Sequence, residues 1–544
     1  MYNRIILSVL LLCGSLSVRP CTNLIVGPKA SRDGSVIVSY SCDDYGAYGY
    51  LSFLPRGRHA KGEMRPLYHY ESNNYLGEIP EARETYQVVG LMNEFQLTIH
   101  ETTFGGREEL CDTTGLFDYG SLMYVTLQRA KTAREAIRVM AKLVEDYGYQ
   151  SEGESFSIAD PTEAWILEMI GKGPGRKGAV WVAVRIPDDC ISGHANQSRI
   201  RRFPLHDSKN CLYSKDVITV AREKGYFNGP DEEFSFADAY DPADFGALRF
   251  CEARVWSFFN RWAADDMQPY LPYAMGDAKA SPMPLYVKPK APLSVEDVQR
   301  MMRDHYEGTP LAIEDGLGAG AWQMPYRPTP LRFEVDGKAY FNERPISTQQ
   351  SANVYVSQMR RSMPDHVGGV VWFANDDANM APFTPVYCSS LSVPECYAQS
   401  TANCFQFSFN SAYWVQNWVS NMAYLRYNLL FPEVERVRDR LEADYRSLQD
   451  STEAQALRMK PDEARRFLTD YSSRAAQNML YEWNQLAQYI IVRYNDMAVK
   501  RMDEQGRYEQ TPGGNQRPVL RPGYPEEFRR RIVEKEGERY RMPD

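Results

Sequence analysis

The chain has 544 residues, a formal net charge of −9 and an apolar fraction of 43%. That length exceeds the usual single-domain range of ~100–200 residues, so one large core with additions, or more than one domain, is expected. Its acidic balance and dispersed lysines and arginines argue against a nucleic-acid partner, and no run of ~18 apolar residues beyond the N-terminal segment offers a membrane span.

Residues 1–20 read as a signal peptide or propeptide. Arg4 supplies a short basic region, residues 5–13 an apolar core, and Gly14-Ser15-Leu16-Ser17 a small polar stretch. The apolar run is shorter than the ~20 residues of a bilayer span and suits export to the periplasm or outside the cell. Val18-Arg19-Pro20 lacks the small residues a signal peptidase favours. Either the peptidase cuts near Ser15 or Ser17 and the stub is trimmed, or Cys21 removes its own propeptide. Cleavage before Cys21 leaves a thiol and a free α-amine on one residue, a nucleophile with a base of intrinsic pKa roughly 7.7–8.0.

Residues 24–26 and 35–40 are β-rich runs joined through Asp33-Gly34, a hairpin turn signal. Residues 87–90 and 97–99 flank Met92-Asn93-Glu94 in a second hairpin. Residues 119–147 carry one long helical pattern whose apolar stripe includes Ala130, Ala133, Ile137, Met140 and Val144. Strands follow at 155–159, 164–169, 180–184 and 191–195, with Asp160-Pro161-Thr162 turning between the first pair. Residues 247–262 and 294–306 read as helices, the second capped by Ser294 with Asp297 in its first turn. Late strands are expected at 353–357 and 368–373. From residue 411 the pattern turns helical, at 411–431, 434–445 and 461–502, and the tail beyond Arg507 reads as loosely ordered. Strands covered by helices give an α+β, layered class. The division is leader 1–20, catalytic core 21–410 and helical extension 411–544.

Ten cysteines and seven histidines are scattered with no CxxC or HExxH, so the reading calls for no metal and no cofactor. In an oxidising compartment Cys396 and Cys404 could pair locally, although connectivity does not follow from sequence.

Cys21-Thr22-Asn23, Val26-Gly27-Pro28-Lys29-Ala30-Ser31 and Asp33-Gly34-Ser35 resemble the start of the secreted bacterial dipeptidases. Those are N-terminal nucleophile hydrolases of the cysteine type, related to penicillin V acylase and bile salt hydrolase. Met92-Asn93-Glu94, the run from Glu101 through Thr102-Thr103-Phe104-Gly105-Gly106 to Glu108, the run from Gly153 to Pro161, and His194-Ala195-Asn196-Gln197-Ser198 extend the resemblance in order and spacing. It implies a four-layer αββα sandwich with Cys21 at the edge of one of two stacked antiparallel sheets. It also implies that Asp43 aligns the Cys21 amine and that Asn196 contributes to an oxyanion hole. Arg249 falls at the acylases' later arginine, near the sulfur, with Arg254 one turn on as the alternative. The pattern departs at Tyr40, where the acylases and many of the dipeptidases have an arginine three residues before the aspartate, and at Thr102-Thr103, which stands in place of the acylases' second oxyanion asparagine.

The function this implies is hydrolysis of dipeptides by an exported enzyme whose N-terminal Cys21 is the nucleophile and its own amine the base, with oligomeric state open. The alternatives are an amidase of another N-acyl compound, such as a bile salt or penicillin, and an exported binding protein that has kept the fold without the chemistry. A metallopeptidase is a distant third.

Overall fold

The computed structural model of the chain describes residues 21–514 and 518–543, so the leader read at 1–20 lies outside the described residues. Cys21 opens directly into strand β1 (Thr22–Val26), which is buried throughout. The chain reverses through Gly34, whose φ of 78° suits a residue without Cβ, into β2 (Val36–Asp43). Asp33 Oδ1 accepts from the Ser35 nitrogen at 3.0 Å and closes that turn.

The remaining strands of the two main sheets are, in chain order, β3 (Phe53–Leu54), β4 (Val88–Val89), β5 (Met92–Asn93), β6 (Thr98–Gly105), β7 (Gly153–Ala159), β8 (Ala164–Gly171) and β9 (Ala179–Ile186). Then come β10 (Ile191–His194), β11 (Cys211–Tyr213), β12 (Tyr286–Val287), β13 (Ser351–Met359), β14 (Val370–Asn375) and β15 (Thr384–Tyr387). The first sheet has seven strands in the order β12-β10-β1-β2-β13-β14-β15, and the second has eight in the order β11-β9-β8-β7-β6-β5-β4-β3. Pairing is antiparallel in both sheets. The sheets stack face to face, and a line of polar groups crosses between them. Asn23 meets Ser157 at 3.1 Å, His194 joins Thr102 and Ser157 at 2.7 Å each, and His100 meets Ser357 at 3.0 Å.

Helices α1 (Tyr119–Leu127) and α2 (Ala133–Tyr147) cover the outer face of the second sheet. Helix α3 (Ala253–Trp262), with the C-terminal helices α4 (Ala412–Tyr424), α5 (Tyr427–Ala456) and α6 (Pro461–Tyr494), covers the first. The result is the four-layer α+β sandwich. Covering both sheets explains why β7 and β8 are buried at every position and read as apolar runs interrupted only by polar groups with partners inside.

Several elements differ from the sequence reading, among them the first two C-terminal helices, which part at residues 425–426 and not at 432–433. The single helix expected at 119–147 is two, because residues 128–132 leave the helix and the Thr132 hydroxyl then caps α2 by accepting from the Glu135 nitrogen. The helix expected at 294–306 stops at Met301, although its start is as expected, with Ser294 and Asp297 capping each other. The tail contains a helix at Glu526–Glu536 with no buried residue, edged by Glu526–Arg530 and Glu527–Arg531 pairs. Cys396 and Cys404, a candidate disulfide, are both free thiols. No helix among the described residues is long and apolar enough to cross a membrane.

The C-terminal helices are fastened to the first sheet by a buried ion pair. Arg360, just past β13, donates to both carboxylate oxygens of Glu453 on α5, at 2.7 and 2.6 Å, and Tyr387 adds a hydrogen bond at 2.9 Å. Glu453→Ala leaves that guanidinium buried without its anion, and should cost ~3–5 kcal/mol of unfolding free energy by urea titration. A loss under 1 kcal/mol would mean the helices are not part of the same cooperative unit.

Candidate active site

Cys21 sits where β1 begins, with its side chain 2% exposed. Its nitrogen donates to Asn196 Oδ1 at 2.8 Å. Asn196 follows β10, the strand paired to β1 with Asn23 opposite His194, so the sheet register delivers it to Cys21. The residue is held at φ 60°, a left-handed conformation that asparagine tolerates better than most. Its Nδ2 donates to the Thr103 carbonyl of the other sheet at 2.7 Å.

Arg254 of α3 closes the arrangement. One guanidinium nitrogen donates to the Cys21 carbonyl at 2.6 Å and to Thr22 Oγ1 at 2.7 Å, and the other donates to the Ala195 carbonyl at 3.0 Å and Asn196 Oδ1 at 2.9 Å. Burial, and then Arg344 nearby, lower its pKa to about 10, so it stays charged at neutral pH. Arg249, the position first assigned to this role, pairs instead with Glu343 and stacks over the Phe341 ring. The correction has a physical cause. The chain enters α3 through a widened turn at Ala247–Glu252, and that extra backbone rotates Arg249 toward Glu343 and aims Arg254 at β1.

Asp43 is fully buried at the end of β2. Its carboxylate accepts from Arg344, from Ser351 Oγ at 2.6 Å and from Ser41 Oγ at 3.0 Å. With residue 20 attached, the Cys21 nitrogen is a peptide nitrogen and donates to Asn196, not to Asp43. The Thr103 hydroxyl donates to Glu154 Oε1 at 2.7 Å and is thereby engaged away from the sulfur.

On the other side of the sulfur lies an acidic group. Cys21 Sγ is 3.9 Å from the Tyr40 hydroxyl and 3.8 Å from Glu101 Oε1, and Tyr40 donates to that same oxygen at 2.8 Å. Cys42, next to Cys21 across the hairpin, then burial and Glu101, push the Cys21 thiol well above its usual pKa. Burial raises the Glu101 carboxyl to about 7, and burial with Glu101 beside it raises Glu154 well above the carboxylate range. Burial also holds His100 and His194 at about 3, so both are neutral bridges between the sheets.

A cavity of about 1190 Å³ opens against this site, with Asp43, Asn196, Arg254, Arg344 and Glu152 among its walls. Its volume exceeds what a dipeptide needs, and its lining mixes carboxylates and guanidinium groups suited to a ligand charged at both ends. Of the residues singled out from sequence, Cys21, Asp43 and Asn196 come together and Arg249 does not join them. Tyr40, Glu101 and Arg344 were not assigned roles. Tyr40 had a local signal, since hairpin register puts it opposite Asn23, whereas nothing local links Arg344 to Asp43 across 301 positions.

Residues 54–440 match Peptidase family C69. The chain belongs to this family. Its members are cysteine peptidases of the N-terminal nucleophile type, and this chain is a peptide hydrolase. A probable dipeptidase of Salmonella dublin is 26% identical over 398 residues, covering 69% of this chain and 82% of that one. A probable dipeptidase of Latilactobacillus sakei is 24% identical over 425 residues, covering 74% and 80% respectively. Probable dipeptidase A of Streptococcus pyogenes serotype M3 (strain SSI-1) is 24% identical over 495 residues, covering 85% of this chain and 96% of its own length.

The rival arginines can be separated by turnover on one dipeptide. Arg254→Gln strips four hydrogen bonds from around Cys21 and should lower kcat by ~10²-fold or more. Arg249→Gln, whose partner is Glu343, should lower it by less than ~10-fold. The reverse order would restore Arg249 to the site.

Proposed function

We propose that this peptidase is exported, loses its leader before Cys21, and hydrolyses dipeptides with the Cys21 thiol as nucleophile and the new α-amine as base. The observation that carries this reading is the placement of Cys21 directly before β1, with its backbone nitrogen held by Asn196 Oδ1 at 2.8 Å. Neither inter-sheet histidine is available: His194 is bonded by Thr102 and Ser157, His100 by Thr98 and Ser357, and both are held neutral far below their usual pKa. The thiol itself is pushed up rather than down. A sulfur in that environment needs a proton acceptor within reach, and cleavage before Cys21 creates one on the same residue.

In the proposed cycle the amine takes the thiol proton as sulfur bonds to the peptide carbonyl carbon. Negative charge gathers on the carbonyl oxygen and is met by the Asn196 amide, with the fixed Arg254 charge behind it. The carbon–nitrogen bond then breaks, and the ammonium of Cys21 returns its proton to the departing amino acid. Water attacks the thioester, again giving a proton to the amine, and the carboxylic acid leaves as sulfur recovers its proton. Asp43, held by Arg344, Ser41 and Ser351, stabilises the ammonium form of the base.

Three measurements test this. Intact mass of the active protein is expected to start at Cys21, and an active form retaining Pro20 would sink the mechanism. Cys21→Ala is expected to abolish turnover with its circular dichroism unchanged, and Cys21→Ser to leave at most a trace, because a hydroxyl is a far weaker nucleophile than a thiolate. Asn196→Ala should lower kcat by the ~10²–10³-fold typical of one oxyanion donor.

A further inference from the structure

We infer that Cys42 is a resolving thiol for Cys21: a peroxide that reaches the nucleophile converts the two into a Cys21–Cys42 disulfide, which switches the peptidase off until it is reduced. The inference rests on Cys21 being the nucleophile and goes beyond it by giving the same sulfur a second, redox chemistry.

Strand register brings the pair together. In the β1–β2 hairpin Asn23 lies opposite Tyr40 and Thr22 opposite Ser41, so continuing the register by one residue sets Cys21 opposite Cys42. Opposed residues of an antiparallel pair project to the same face. Here it is the face on which Asn23 reaches Ser157 of the second sheet. Opposed Cα atoms lie about 4.5–5.5 Å apart in either kind of antiparallel pair, inside the ~4.4–6.8 Å that a disulfide spans. Opposed Cβ atoms lie about 4.5–5.5 Å apart, so reaching the ~3.5–4.5 Å of a disulfide needs a small approach only. Cys21 stands just ahead of β1 rather than inside it, so that approach falls on a strand end.

The two thiols already act on each other, since Cys42 raises the Cys21 pKa more than burial or Glu101 does. Both are free, with Cys21 buried and Cys42 half-buried. Cys251, the other cysteine beside the site, belongs to the turn ahead of α3 and shares a cavity wall with Asp43. Asp43 projects from β2 to the face opposite Cys42, so Cys251 is the poorer partner.

Hydrogen peroxide is small enough to follow the route a dipeptide must take. The α-amine takes the Cys21 proton, and the thiolate attacks one peroxide oxygen. The O–O bond breaks, sulfur is oxidised to a sulfenic acid, and the departing hydroxide collects that proton as water. Cys42 then attacks the sulfenic sulfur, the S–O bond breaks, and the second hydroxide leaves as water with the Cys42 proton. Two thiols and one peroxide become one disulfide and two waters. Without Cys42 the sulfenic acid stays open to further peroxide, and the sulfinic acid that follows is not recovered by a thiol reductant.

The test incubates the active protein with hydrogen peroxide and follows turnover of one dipeptide together with the state of its cysteines. Wild-type turnover is expected to fall by ~10-fold or more, because the disulfide removes the nucleophile, and to return with dithiothreitol. Peptide mapping of the unreduced, inactive form should show Cys21 joined to Cys42. Cys42→Ala, scored against its own untreated rate, should form no such link. Under an exposure from which wild type recovers, it should regain at most about a tenth of its activity. The switch is overturned if wild type stays active and unlinked in peroxide, or if the inactive form carries an oxidised, unlinked Cys21 or a link to Cys251. Equal recovery of wild type and Cys42→Ala would overturn it as well, while the mapping needs no mutant to fold. Cys21→Ala run in parallel separates the two readings. If it is inactive and wild type forms no link, only the switch fails; if fully linked wild type still turns over substrate, the switch and the nucleophile fail together.

Discussion

Arg254 holds a permanent charge where almost no water reaches, being 1% exposed. Removing such a charge from water costs several kcal/mol, and only a full set of acceptors offsets the loss. The acceptors it finds are the Cys21 carbonyl, Thr22 Oγ1, the Ala195 carbonyl and Asn196 Oδ1. They come from the start of β1 and from the turn after β10, neighbouring strands of one sheet. Satisfying one guanidinium therefore fixes the backbone of Cys21, the direction of the Asn196 amide and the approach of α3 together. The left-handed backbone of Asn196 is tolerable because its side chain is bonded at both ends. The widened turn ahead of α3 is the local irregularity that aims Arg254 inward.

Strand β2 then divides the surroundings of the sulfur by its own two-residue period. Tyr40 and Cys42 lie on one face with Cys21, and through Tyr40 this face reaches Glu101. Ser41 and Asp43 lie on the other, where they meet Arg344 and Ser351. One side of Cys21 is thus acidic and short of donors, and the other is an anion already paired to cations. A sulfur between the two is poorly ionised as it stands. That state suits a chain in which the Cys21 nitrogen is still a peptide nitrogen, and in the proposed mechanism the thiol stays unactivated until the amine is freed.

What the sequence made legible was local. The β1–β2 hairpin follows from alternating apolar residues around Asp33-Gly34, and α2 from its apolar stripe. Family spacing carried Cys21, Asp43 and Asn196 to one place because each lies within or just beyond a strand of the same sheet. The break between α1 and α2 has no signal in the apolar stripe, which runs through it at Ala130 while residues 128–132 leave the helix. The resemblance left the arginine between Arg249 and Arg254, because a matched motif does not count through a turn as wide as the one at Ala247–Glu252. Arg344 and the Glu101–Glu154 contact depend on sheet packing across long stretches of chain, which no local pattern encodes.

The tyrosine at position 40 now has a physical reading. The acylases and many of the dipeptidases that the N-terminal motif resembles carry an arginine there, and in this chain an arginine would face Glu101. It would pair with that carboxylate and hold it as an anion. Tyr40 contributes one hydrogen bond of 2.8 Å and no charge, so Glu101 is oriented by a neutral donor, while burial raises its carboxyl to about 7 and it hydrogen-bonds to Glu154. A neutral donor therefore leaves the acid pair to hold its own proton beside Cys21, where a guanidinium would have displaced it.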